Sequence, residues 1–186
     1  MKKVRNTTPQ EIHEGLLRLR KLIKSNAEFV FVSIEVDVES TPQECYGNVE
    51  KKISKDGGSI VYGWSIWEVE GVMVEGEHHA VWCAPNGNLV CVSRRRDGDN
   101  RMLFLPDSVN LYSGIPIGSV RMSWPKNRHV EKWIDALNER DRFISRHTSR
   151  GTGLLQCNAD EHHYHMHRVH SAGANIIQKL GIVITV

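Results

Sequence analysis

Cys45 and His79 are the residues whose types and setting could do chemistry. Cys45 follows Thr41-Pro42-Gln43-Glu44, which reads as a helix start, and His79 lies in Glu77-His78-His79-Ala80-Val81-Trp82, which reads as a strand. A thiol becomes a nucleophile when a neighbouring base or a helix N-terminus helps remove its proton. This order of elements offers both aids. The chemistry would be attack on an acyl carbon, with Cys45 as nucleophile and His78 or His79 as general base. Asn48 lies one helical turn past Cys45, so it is expected to face the same cleft. His78 and His79 point to opposite faces of a strand. Glu75, Glu77 and Val81 share the face of His79, and Val74, Ala80 and Trp82 share that of His78.

The elements that must position these residues follow from periodicity. Thr8-Pro9-Gln10-Glu11 reads as a capped helix start, and Ile12, Leu16, Leu19, Leu22 and Ile23 recur at helical spacing, so a helix is predicted from about Pro9 to Ser25. Phe29 to Val38 alternates and is rich in β-branched residues, a strand. A helix from Gln43 to Ser54 carries Cys45, and Asp56-Gly57-Gly58 ends it. Strands are predicted over Ile60 to Glu68, Val72 to Cys83 and Leu89 to Ser93, the last two joined by a hairpin turn with Asn86-Gly87 at its centre. Met102 to Leu105 is a short extended piece, and Asn110 to Pro125 reads as irregular. His129 to Arg146 reads as a helix, Ser149 to Gly153 as a linker, and Ile182 to Val186 as strand-like.

The bulk numbers suit one domain over 1–186, with a core from about 9 to 146 and a His-rich segment and strand over 151–186. The chain has 186 residues, of which 40% are hydrophobic and 25% charged, enough for a sizeable core and unlike a disordered composition. A net charge of +2 is too small to imply nucleic acid. The apolar runs are too short to span a bilayer. Met1-Lys2-Lys3-Val4-Arg5-Asn6 is basic with no apolar signal segment after it, so the expected location is cytoplasmic. Cys45, Cys83, Cys91 and Cys157 show no CxxC spacing and read as reduced thiols.

The order of a cysteine at a helix start and a histidine in mid-strand, with a hairpin returning past it, resembles the papain-like cysteine hydrolases. The runs Cys45-Tyr46-Gly47-Asn48-Val49, Tyr62-Gly63-Trp64-Ser65-Ile66-Trp67-Glu68 and His79-Ala80-Val81-Trp82 also resemble a little-characterised family of bacterial and phage proteins with Cys-x-x-Asn-Val and His-Ala-Val-Trp motifs. That resemblance covers about Val30 to Leu105. It implies an α+β, papain-like fold, a Cys-bearing helix packed on an antiparallel β-meander, with Cys45 as nucleophile and His79 as base. The third position, which orients the imidazole, departs from the pattern. Cys91 falls where papain-like enzymes use Asp, Asn or His, and Asn86, Asn88, Ser93 or Glu77 would have to substitute.

Three further features stay open. His162-His163-Tyr164-His165-Met166-His167-Arg168-Val169-His170 holds five of the ten histidines. On a strand His163, His165 and His167 share a face, and on a helix His163, His167 and His170 do. Either set would suit zinc or another transition metal, with Cys157, Asp160 or Glu161 as a further ligand. Trp64, Trp67 and Trp82 read as sheet core or as a wall for a ligand. Arg94, Arg95, Arg96 and Arg101, interleaved with Asp97 and Asp99, read as a solvated loop. The expected function is therefore a cysteine-dependent hydrolase or acyltransferase acting on an amide or thioester bond of a protein or peptide. No cofactor is required for that chemistry, and neither nucleic acid nor membrane is expected as partner. The alternative is a non-catalytic metal- or protein-binding module, phage-encoded and acting on a host protein.

Overall fold

Two long alternating strands joined by a tight turn organise the chain. Ser59–Val69 and Met73–Cys83 pair antiparallel along their whole length, from Val69 opposite Met73 to Ser59 opposite Cys83. In the computed structural model, which describes residues 1–150 and 152–185, the elements in chain order are β1 (Lys2–Thr7), α1 (Glu14–Ile23), β2 (Val30–Ile34), α2 (Cys45–Asp56), β3 (Ser59–Val69), β4 (Met73–Cys83), β5 (Leu89–Cys91), β6 (Arg101–Pro106), β7 (Val120–Ser123), α3 (Arg128–His147), α4 (Ala159–Leu180) and β8 (Ile182–Thr185). The fold is α+β and contains a small closed β-barrel. Its ring runs β4-β5-β2-β6-β3 and closes through the β3–β4 pairing. Instead of an all-antiparallel meander, β5 meets β2 in parallel register, Ser33 opposite Val90. Closure gives the ring's strands a neighbour on each side and so removes exposed edges.

The far half of the β3–β4 hairpin leaves the barrel. There β7 pairs with β4 at Met73–Gly76, β1 pairs with β3 at Val69 and Glu68, and β8 runs parallel to β1. Helices α1 and α2 cover the apolar outer face, whereas α3 and α4 pack on the face of His79 where the hairpin runs beyond the barrel. Leu16, Leu19 and Ile23 of α1 pack on Trp64, Ile66, Val74, Leu103 and Leu105. Val49 of α2 packs with Ala80, Val90 and Val92. Val130 and Ile134 of α3 and Ile176 of α4 pack on Val4, Val69, Val72 and Met73. The barrel's own interior is apolar at one end, where Val32, Val81, Cys91, Met102 and Phe104 meet. Gly63 makes room there, since a Cβ on it would lie 2.5 Å from the Phe104 ring.

The helix predicted from Pro9 starts only at Glu14. His13 is its N-cap and accepts the Gly15 N–H at 3.1 Å. Thr8 does not cap it; the hydroxyl is buried and donates to the Arg101 carbonyl. The stretch read as irregular contains β7, and the basic N-terminus forms β1. Gly151 of the predicted linker and Val186 of the terminal strand lie outside the described residues.

The solvated loop expected at Arg94–Arg101 is also corrected. Arg95 turns inward, with 4% of its side chain exposed, and Asp97 beside it has none. Its Nε and Nη2 donate to the two Asp97 carboxylate oxygens at 3.2 and 3.0 Å, Nη1 donates to Ser65 Oγ at 2.6 Å, and Nη2 also donates to Thr8 Oγ1 at 3.1 Å. The guanidinium lies 3.7 Å from the centre of the Trp67 ring. Burial alone would raise the Asp97 pKa, but the Arg95 hydrogen bonds and charge hold it below its ordinary value. Breaking a buried pair strands the other charge, at a cost of about 3–5 kcal/mol. Asp97→Ala is therefore expected to lower the melting temperature by roughly 10 °C, at about 2–4 °C per kcal/mol for a chain of this size. Arg95→Met combined with Asp97→Ala should cost less than the two single changes added. Thermal melts followed by circular dichroism check both; additive costs would count against a coupled pair.

Candidate functional site

Cys45 is the first residue of α2. The loop before it is held by Asn48, whose Oδ1 accepts the Thr41 N–H at 2.8 Å and whose Nδ2 donates to the Thr41 carbonyl at 2.8 Å and to Ser93 Oγ at 2.9 Å. Asn48 is thus a buried staple between loop, helix and the end of β5, and does not line the cleft beside Cys45. Gln43 adopts φ 65°, a left-handed conformation that a non-glycine residue rarely holds. The N-cap Glu44 makes no side-chain capping bond, and the first helical N–H to find an intrahelical carbonyl is that of Asn48. Backbone donors at the head of α2 are left available.

His79 projects into the barrel one residue pair above Val81. Opposite it on β3 is Gly63, and one pair further Glu77 faces Ser65. The inside of the barrel therefore changes from apolar to polar along its axis, and His79 sits at the change. Its Nε2 lies 3.4 Å from Cys91 Sγ, and Cys91 Sγ lies 3.5 Å from the Ser93 carbonyl. With the thiol proton directed to that carbonyl, the sulfur accepts from Nε2–H, and the lone pair is left on Nδ1. Burial, and then the positive charge of Arg95, push the His79 pKa down to about 3.

His78 faces the other way and has both nitrogens engaged. Nε2 is 2.7 Å from the Asn110 carbonyl, which can only accept, so Nε2 carries the proton and Nδ1 accepts from the Tyr46 hydroxyl at 2.8 Å. Tyr46 stacks on Tyr112 with ring centroids 3.7 Å apart. Burial pushes the Tyr46 pKa up, and it lowers that of His78.

Cys45 and His79 line one cavity of about 1000 Å³, together with Tyr46, Glu77, His78 and Ser93. Burial pushes the Cys45 thiol up to about 12; backbone hydrogen bonds to Ala80 and Tyr46 oppose this, and Glu77 and Cys91 add to it. At rest the thiol is neutral, because the fractional charge at a helix end is too small to offset desolvation. The cavity continues between β4 and α3, where Glu75 meets Arg121 at 2.9 Å and Arg121 meets Asp141 at 2.7 Å. Trp67 Nε1 donates to Glu77 at 2.8 Å. Trp67 is thus a wall of this cavity, while Trp64 is outer core with Nε1 on Asp107, and Trp82 donates to the Gly57 carbonyl. Arg121 and Asp141 went unnoticed in the sequence, and Arg95 was read as part of a solvated loop. Arginines among acidic residues read as surface, and only the inward alternation of Arg95 could have hinted otherwise.

The histidine run is helical, on α4. His163 and His167 are neighbours on an exposed face, their rings 6.4 Å apart, whereas His165 packs 4.5 Å from the Phe143 ring of α3. The structure does not bring His163, His165 and His167 together. Among the described residues no three His, Cys, Asp or Glu side chains are grouped to hold a metal ion, and no helix is long and apolar enough to cross a membrane. Compared with family models, with curated proteins and with solved structures, the chain matches none.

The depressed His79 pKa makes stability depend on pH. The unfolded chain takes up this proton below its ordinary pKa of 6.5, while the folded protein resists until about 3. The stabilising contribution is therefore complete above 6.5 and is lost as the pH falls toward 3. Urea unfolding between pH 7 and 4 should show a shallower decline for His79→Gln than for the wild type; equal slopes would mean that His79 is not held neutral.

Proposed function

We propose that this protein is a cysteine-dependent hydrolase or acyltransferase acting on an amide or thioester bond, with a papain-like arrangement of its reacting groups. The observation that carries the reading is that Cys45, at a helix start, and His79, oriented through Nε2 by Cys91, line the same cavity. The volume of that cavity suits a peptide segment. In the reaction the Cys45 sulfur attacks the acyl carbon as its proton passes to His79 Nδ1. The carbonyl electron pair moves onto oxygen, where backbone N–H groups at the head of α2 receive it. The tetrahedral species collapses, the leaving group takes the proton from His79, and the acyl group remains on sulfur as a thioester. Water or an acceptor nucleophile, deprotonated by His79, then releases it and restores the thiol.

Cys91 takes the orienting position that a carboxylate or amide fills in papain-like enzymes. A thiol is a weak acceptor, so it fixes the tautomer of His79 without supplying negative charge. This supports a base that stays neutral and works only as the thiol attacks.

The test is acyl transfer from p-nitrophenyl acetate at pH 7, with the acetylated residue mapped by mass spectrometry. Acetyl should accumulate on Cys45, and His79→Ala should slow it by about 100-fold or more, the usual worth of a positioned base. The wild-type rate should be level from about pH 5 to 9, because His79 loses its base form only toward pH 3. Acetylation spread evenly over the four cysteines, or unchanged in His79→Ala, would sink the proposal.

A further inference from the structure

The charges around the cavity do not cancel. Of the arginines lining it, Arg121 pairs with Glu75 and Asp141, Arg140 pairs with Asp141, and Arg95 pairs with Asp97 behind the wall. Of the lining carboxylates, Glu75 and Asp141 are held in those pairs and Glu77 accepts from Trp67. Arg94 and Arg96 remain. Both are exposed, both line the cavity, and among the described residues neither forms an ion pair. Their placement follows from the inward turn of Arg95. With that side chain anchored on Asp97, Ser65 and Thr8, its two neighbours in sequence are left exposed. A guanidinium presents several donors in a plane that matches a carboxylate.

We infer that Arg94 and Arg96 form a specificity site for a carboxylate on the substrate acylated at Cys45, so that the preferred substrate is an acyl compound or peptide bearing an acidic group. This rests on the reading of Cys45 as nucleophile. Apart from Glu77, the other cavity charges are already paired, so a neutral substrate leaves the two exposed arginines to water, and an anionic one neutralises them.

Alkylation by two reagents of matched size tests this without requiring turnover. Iodoacetamide is neutral and iodoacetate is a carboxylate. At pH 9 each is attacked by the Cys45 sulfur after its proton leaves to solvent; an S–C bond forms and iodide departs. The ratio of the iodoacetate to the iodoacetamide rate at Cys45, followed by mass spectrometry, is expected to exceed that of Cys83 in the same molecule by about fivefold or more. Arg94→Gln with Arg96→Gln should abolish the excess in this ratio, in which any change of the Cys45 thiolate fraction cancels, and an unchanged circular dichroism spectrum would report an intact fold. Arg94→Lys with Arg96→Lys should retain most of it, and 1 M salt should suppress it. If Cys45 takes iodoacetamide but shows no preference for iodoacetate, or keeps the preference without the arginines, the specificity site is refuted and the hydrolase reading stands. If Cys45 takes neither reagent and is not acetylated by p-nitrophenyl acetate, the nucleophile is refuted and the specificity site falls with it.

Discussion

The polar half of the barrel depends on one buried cation. Arg95 reaches in from the β5–β6 connection and meets groups from three separate stretches: Asp97 in its own loop, Ser65 and Trp67 on β3, and Thr8 just after β1. A charge taken out of water needs acceptors of good geometry for its donors. Here four of the five guanidinium N–H groups find one. The same contact tethers the end of β1 and the β5–β6 loop to the hairpin, so the wall of the cavity and the floor of the barrel are fixed together. It also acts on the chemistry. After burial, Arg95 is the next cause of the low pKa of His79. The residue that ties these stretches together also adds to the burial that keeps His79 neutral.

That coupling arises because β3 and β4 are longer than the barrel they close. Near Val61 and Val81 the ring is filled by Val32, Met102 and Phe104 and admits no ligand. Beyond Gly63 and His79 the same two strands continue through Ser65, Glu77, Trp67 and Glu75, with α3 and β7 alongside in place of the ring. The inward face cannot be apolar there, because it borders open space. A cavity with an apolar floor and polar walls is the result, and the His79 imidazole lies where one passes into the other.

Much of this was legible in the sequence where the signal was local. The alternation of β3 and β4, the helix start at Cys45, and the helical spacing of α3 were read close to their observed bounds. The adjacency of Cys91 and His79 was expected from resemblance to papain-like enzymes, and the two are in contact. What was not legible depended on partners distant in sequence. Arg95 and Asp97 have the composition of a surface loop, and only pairing across the barrel buries them. Thr8-Pro9-Gln10-Glu11 has the residues of a capping box, but the tertiary demand on Thr8 from Arg95 and Arg101 moves the helix start to His13. Asn48 follows Cys45 by a helical turn, yet bonds to Thr41 and Ser93 turn it toward the loop. The histidine run fits strand and helix alike, and packing on α3 decides for the helix.

The pairing of a thiol near 12 with an imidazole near 3 constrains any reaction at this site. Moving the proton from Cys45 to His79 before attack would cost on the order of 10 kcal/mol at the exchange of 1.36 kcal/mol per pKa unit. Attraction within the resulting ion pair returns only about 4 kcal/mol at 4 Å in an effective dielectric of 20. A stored thiolate is therefore too costly, and in the proposed acyl transfer the proton would move as the bond to carbon forms. The negative charge would then develop on the acyl oxygen, at the donors of α2, and not on a sulfur already disfavoured by Glu77. An acidic group on the bound molecule would raise the cost further if it faced Cys45 unneutralised. Arg94 and Arg96, left exposed by the anchoring of Arg95, lie on the wall of the cavity where such a charge can be met.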